Sequence, residues 1–170
     1  KPEETADFTT NILTYDSIGN AHSVSLYANK DPGVNSWTVR MFAKGEEVTG
    51  GVDGVPLLQA EGKVTFNDKG LLQDVNFATN SFNFKGATQN QVIDFKFGEP
   101  IAKGGNGSGS TMYGSPTDVY KYVQDGNSAG SITGYSFSDD GILSAVYSNG
   151  INRNLYQIAI SKFESNEGLY

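Results

Sequence analysis

The sequence predicts an all-β fold, with a larger antiparallel domain of sandwich-like or barrel-like form followed by a smaller β meander. Three observations carry this prediction. Ten phenylalanines, nine tyrosines and one tryptophan against two methionines suit flat, half-buried strand faces. Twenty-one glycines in 170 residues supply the positive φ that tight turns demand. Runs of Ala, Leu, Glu and Lys that would build helices are absent.

Residues 1–7 are charged and aperiodic and read as a lead-in. Phe8 to Tyr15 alternates and makes a first strand, turned by Asp16-Ser17-Ile18-Gly19-Asn20. His22 to Ala28 returns with Val24, Leu26 and Ala28 on one face. After the turn at Asp31-Pro32-Gly33, Ser36 to Ala43 places Trp37, Val39 and Met41 together. Lys44 to Glu61 is the least ordered stretch, punctuated by Gly45, Gly50-Gly51 and Asp53-Gly54, with Pro56 discouraging a central strand.

Lys63 to Phe66 and Leu72 to Phe77 flank the hairpin turn Asn67-Asp68-Lys69-Gly70. Ser81 to Phe84 and Gln91 to Phe97 carry same-face aromatic pairs and are expected as strands. Gly98 to Ser115, with Gly104-Gly105-Asn106-Gly107-Ser108-Gly109-Ser110 at its centre, has linker composition and reads as a mobile surface loop. Val119 to Gln124 is expected to resume a strand. A domain boundary falls near Gly126, giving domains 1–126 and 127–170.

The second domain is an antiparallel meander. Ser131 to Phe137, Ile142 to Tyr147 and Leu155 to Phe163 are its strands, joined at Asp139-Asp140-Gly141 and Ser148-Asn149-Gly150. The stretch from Phe66 to Val75 echoes that from Phe137 to Val146 in Phe, Asp, Gly, Leu and Val. Two hairpin turns of the same chemistry explain the echo without a duplicated module.

Composition excludes several functions. Twelve basic against nineteen acidic residues give a net charge of −7, which disfavours a nucleic-acid or anionic-membrane partner. No apolar run approaches the roughly 18–20 residues that span a bilayer. With no cysteine there is neither a disulfide framework nor a thiolate metal site. The chain begins at Lys1 without Met and reads as a piece of a longer polypeptide.

Catalytic machinery is sparse. His22 is the only histidine, so any imidazole-based triad or two-histidine metal site would have to be built around it. Its position after a turn suits a partly exposed cross-strand partner. Asp68, Asp74, Asp94, Asp139 and Asp140 are the candidate acid/base carboxylates. Asp68, Asp139 and Asp140 read better as turn residues, and Asp94 as a solvent-facing neighbour of Phe95. Asn67 to Gly70 and Asp139 to Gly141 lack the alternating oxygens and distal Glu of a calcium loop. The glycine-rich segment lacks the Gly-Lys-Ser/Thr of a phosphate loop. No catalytic, cofactor-binding or metal residue is therefore assigned, and no enzyme activity is expected. Trp37 and the tyrosines leave a carbohydrate-binding β-sandwich module as the alternative, if their rings form an exposed planar row.

Two motifs carry a resemblance. The first is Tyr15-Asp16-Ser17-Ile18-Gly19-Asn20-Ala21-His22. The second comprises Gln124-Asp125-Gly126, Ala129-Gly130, Thr133-Gly134, Asp140-Gly141, Tyr147-Ser148-Asn149-Gly150, Gln157-Ile158-Ala159, Phe163 and Asn166-Glu167-Gly168-Leu169. In this order they resemble the outer-domain opening and the re-entry segment of bacterial flagellar hook proteins. The middle, residues 30–115, is similar only in character. Asn127 and Tyr156 depart from the family pattern, so related rod-type axial proteins stay open as an alternative.

The resemblance implies a structural subunit of the hook, the tubular universal joint that links rod to filament and transmits torque. It further implies that 1–126 is the outer surface domain and 127–170 the returning half of an inner β domain. The implied partners are copies of itself in a helical tube and, through the full-length subunit, hook-cap, rod and hook–filament junction proteins. The implied location is the extracellular flagellum, reached by type III export without a cleaved signal peptide. The terminal helices that drive assembly in the family are not in this chain, so a monomer is expected, with polar, wet contacts in the tube.

Overall fold

In the computed structural model, residues 5–114, 117–119 and 121–159 are described. Contacts divide the chain into two compact units, Lys1–Gly126 and Asn127–Tyr170. Every regular ladder is antiparallel β, and no α-helix of regular length occurs among the described residues.

The first unit is a five-stranded meander in which each strand pairs with its sequence neighbour. Its strands are β1 (Phe8–Tyr15), β2 (Ala21–Lys30), β3 (Ser36–Ala43), β4 (Leu57–Phe66) and β5 (Leu72–Asn80). The turns explain the registers. Asp31 N–H donates to Ser36 O at 2.9 Å while the Asp31 carboxylate accepts the hydroxyls of Ser36 (2.5 Å) and Thr38 (2.7 Å). These bonds hold its carboxyl below the ordinary range, with a smaller contribution from Lys63. Between β4 and β5, Asn67 Oδ1 accepts the amides of Lys69 and Leu71, and Gly70 sits at φ 73°.

Alternation then buries one face. Val24, Leu26 and Ala28 of β2, Val39 and Met41 of β3 and Val64 of β4 form the core, with Trp37 half-buried against it. The opposite wall is aromatic. Phe82 and Phe84 are fully buried, and Phe95 and Phe97 pack in behind Phe77 with ring centroids 6.1 and 6.3 Å from it. Gly62 makes room for this cluster, since a Cβ there would come within 2.6 Å of the Phe77 ring.

The expected strands Ser81–Phe84 and Gln91–Phe97 have the right alternation but not the ladder. The bridge Phe82↔Gln91 joins the two stretches to each other and Val48↔Phe84 joins the first to the 3-10 segment, with isolated backbone bonds such as Ser81 N–H to Gln59 O and Ser110 N–H to Phe97 O in place of a ladder. Side chains satisfy much of their backbone instead. Asn80 Nδ2 donates to Ile93 O at 2.7 Å, Gln59 Oε1 accepts Asn83 N–H at 3.1 Å, and Asn83 Oδ1 accepts Asn90 N–H at 2.8 Å. Asparagine and glutamine thus replace the neighbouring strand.

Two further expectations change. The stretch read as least ordered, Lys44 to Glu61, begins with a 3-10 turn (Gly45–Glu47) and ends inside β4. Gly45 and Gly51 approach so closely that a Cβ on either would strike neighbouring backbone. The glycine-rich loop is likewise tied down. Glu99 N–H donates to Ser108 O (2.9 Å), Gly107 N–H to Glu99 O (2.8 Å) and Leu72 N–H to Gly107 O (3.1 Å). Its glycines serve close backbone approach, not looseness. Val119 and residues 121–124 carry no strand, while Tyr120 lies outside the described residues.

The second unit is a three-stranded sheet ordered β6 (Ile132–Phe137), β7 (Ile142–Tyr147) and β8 (Asn152–Gln157). The third strand was expected at Leu155 to Phe163. It starts earlier and ends at Gln157, and residues from 160 onward lie outside the described set. The echo between the units is a shared turn. Ser138 N–H donates to Ile142 O and Ser138 Oγ accepts Ile142 N–H, as Asn67 does with Leu71, and Gly141 has φ 74°.

Candidate functional site

The densest polar constellation lies where the β1–β2 turn meets the 3-10 turn Gly45–Glu47. Asp16 opens the first turn, and its carboxylate is saturated. Oδ1 accepts the amides of Ile18 (3.0 Å) and Asn20 (2.9 Å), while Oδ2 accepts Asn20 Nδ2 (3.0 Å) and lies 3.1 Å from His22 Nε2. Burial alone would raise this carboxyl. The hydrogen bonds from His22, Asn20 and Ile18 outweigh it and hold the group at about 2.

His22 was expected to be partly exposed, yet only 8% of its surface is accessible. It does lie cross-strand, opposite Thr14. Its ring also stacks on Phe84 at 3.7 Å with planes 8° apart, and Nδ1 lies 2.8 Å from Glu47 Oε2. Glu47 is 25 residues away in sequence and carries no local signal, while Asp16 and His22 stand in one motif that does not itself reveal their contact. Neighbouring bonds knit the same region, with Ser17 Oγ accepting Thr88 N–H (2.8 Å) and Gln91 Nε2 donating to Tyr15 O (3.1 Å). Gln91 Oε1 is buried without a partner.

The candidate carboxylates disperse. Asp68, Asp139 and Asp140 are exposed turn residues, and Asp94 is exposed with Lys96 at 3.8 Å. Of the five, Asp74 alone lines a shallow groove of about 470 Å³ on the outer face of β3–β4–β5, beside Thr38, Arg40, Glu61, Lys63 and Thr65. Arg40 Nε pairs there with Glu61 at 2.8 Å and Lys63 with Asp31 at 3.1 Å, and Asp74 Oδ1 accepts Val75 N–H at 2.8 Å. Among the described residues no group of three or more His, Asp or Glu side chains is placed to hold a metal ion. No described helix is long and apolar enough to cross a membrane.

The first unit holds both buried and exposed aromatic side chains, with Tyr113 and Tyr122 among the exposed ones. Tyr27 is buried and Trp37 half-buried in the first. In the second, Tyr135 and Phe137 alternate onto one face of β6, and the register Phe137↔Leu143↔Tyr156 brings Tyr156 to the same face. These three rings are 63%, 65% and 73% exposed. The opposite face carries Ser136, Ser144 and Asn154.

Comparison with known proteins gives a consistent result. The family model of the flagellar basal body protein FlaE D2 domain matches residues 1–127. The flagellar hook protein FlgE of Helicobacter pylori is 30% identical over 166 residues, covering 96% of this chain and 22% of the relative. FlgE of Borreliella burgdorferi is 27% identical over 164 residues, covering 94% of this chain and 36% of the relative. The chain thus spans about a fifth to a third of the length of these relatives. A crystal structure of Helicobacter pylori flagellar hook protein FlgE2 shares the fold with a TM-score of 0.56 at 18% identity, covering 96% of this chain and 34% of that one. The match over residues 1–127 shows that the chain belongs to the family of the flagellar basal body protein FlaE D2 domain, and the relatives it resembles along its length are flagellar hook proteins.

Proposed function

We propose that this chain is part of a hook subunit, with 1–126 as the outer surface domain and 127–170 as the returning part of an inner β domain. The observation that carries the reading is the extent of the likeness. The hook-protein match runs through both units, over 96% of the chain, whereas the D2 model stops at residue 127. The exposed face of β6–β8 supports it, because three solvent-facing aromatic rings on a small sheet suit a layer that further polypeptide covers.

A hook tube repeats one contact between copies around a helix. In this reading the first unit contributes a rigid body with its own core, and the ion-paired outer face of β3–β4–β5 supplies polar surface between neighbours. Rod, cap and junction proteins are the expected partners of the full-length subunit, and type III export its route to the cell exterior.

The test uses the absence of cysteine from this chain. Asp53→Cys, at an exposed loop position, is introduced into the full-length subunit and labelled with a maleimide dye on intact flagella. Labelling along the whole hook supports the surface-domain reading. Labelling confined to the rod position, or protection throughout the assembled hook, overturns it.

A further inference from the structure

His22 is flanked by acceptors on both sides. Nε2 lies 3.1 Å from Asp16 Oδ2 and Nδ1 lies 2.8 Å from Glu47 Oε2. An ionised carboxylate only accepts hydrogen bonds, and a neutral imidazole carries one N–H. Both contacts are hydrogen bonds only when both ring nitrogens bear protons. In the neutral ring one lone pair would face a carboxylate oxygen, and that contact has to open.

The partners decide which side opens. Asp16 is fixed by its bonds to Ile18 and Asn20 within a turn clamped between β1 and β2. Glu47 ends a three-residue 3-10 turn, and its Oε1 already has Lys44 Nζ at 3.6 Å as a second partner. The stack on Phe84 holds the imidazole plane in place. The remaining charged groups on the packed elements are Glu46, on the same 3-10 turn, and Lys85, whose Nζ donates to Glu46 O at 2.7 Å. What Glu47 anchors is specific. Its carbonyl accepts Lys85 N–H (2.9 Å), and Thr49 N–H donates to Asn83 O (2.7 Å). These bonds join the 3-10 segment to the Phe82–Phe84 wall of the core.

We propose that His22 is a proton-operated staple. As imidazolium it ties the β1–β2 turn to the Gly45–Glu47 turn, and loss of the Nδ1 proton frees Glu47 and loosens that segment from the core wall. The device is local, because Asp16 keeps its charge and its bond to Nε2 in both states.

The experiment is NMR on the 170-residue chain between about pH 5 and about pH 9, the range that brackets histidine titration. Imidazole ¹⁵N shifts report the ring protons, and amide exchange, expressed as protection factors, reports the segment. At the acidic end both ring nitrogens should carry protons. At the alkaline end the proton should remain on Nε2, and protection at Lys85 and Thr49 should fall about tenfold relative to β2 and β3. Glu47→Gln should abolish that pH dependence while the β2 and β3 amides stay protected, since an amide pairs with either ring form. An alkaline ring protonated at Nδ1, an unchanged protection pattern, or persistent pH dependence in Glu47→Gln would overturn the proposal.

Discussion

Asp16 shows how one side chain converts a sequence motif into a fixed turn. Four donors converge on two oxygens, and the carboxyl is held at about 2 against an ordinary 3.8. A folded-state value below the unfolded one means that the ionised group stabilises the fold. That contribution is complete above the ordinary value and is lost as pH falls towards about 2. Asp16→Asn keeps an acceptor for the two backbone amides but turns an NH₂ towards Asn20 and His22. It should cost about 2 kcal/mol at neutral pH, and the difference from wild type should shrink in denaturant titrations between about pH 4 and about pH 2. An equal deficit at both ends would contradict the assigned role.

At the scale of elements, what was legible in the sequence depended on whether backbone pairing was local. The strands Phe8–Tyr15, Ser36–Ala43 and Ile142–Tyr147 agree with their sequence-read limits, because alternation and adjacent turn residues specify hairpins at short range. Phe82, Phe84, Phe95 and Phe97 alternate just as clearly, yet their stretches form no ladder, and the side chains of Asn80, Gln59 and Asn83 bond Ile93 O, Asn83 N–H and Asn90 N–H beside them. Alternation reports which face is buried, not what bonds the backbone makes. The Gly104–Ser110 loop misled for a related reason. Composition reports the freedom available to the unfolded chain, whereas hydrogen bonds to Glu99, Leu72 and Phe97 fix the folded one. The motif contained Asp16 and His22 as turn and cross-strand residues without showing that they pair, and Glu47 joins them across a separation that no local pattern records.

That difference can be measured. Gly109 has φ 107° and abuts Gly98. Gly109→Ala should destabilise the first unit by about 2 kcal/mol. It should also reduce amide protection at Leu72, whose N–H donates to Gly107 O, and at Ser110, whose N–H donates to Phe97 O. A loop that were merely a spacer would tolerate the change with no effect on either quantity.

For the whole molecule, the contrast between units is one of coverage. The first carries a closed core of aliphatic residues walled by phenylalanines, while the second buries Ala145 as its one described core residue. The chain should therefore bind a hydrophobic dye through its second unit. Phe137→Ser combined with Tyr156→Ser should abolish most of that fluorescence while leaving the main thermal transition of the first unit in place. Dye binding that survives both changes would place the exposed apolar surface elsewhere.

The neighbour-to-neighbour order of β1 to β5 has a kinetic consequence. Each strand finds its partner in the segment that has just preceded it, so three of the four ladders close a five-residue loop, the β3–β4 ladder closes the longer segment 44–56, and contact order within the sheet is low. The sheet can grow in register from its first hairpin, one strand at a time, as the polypeptide arrives. The late steps are those that reach back, Thr88 to Ser17 and Gln91 to Tyr15. Closing the core wall over the finished sheet, not forming the sheet, should then limit the rate at which the first unit becomes native.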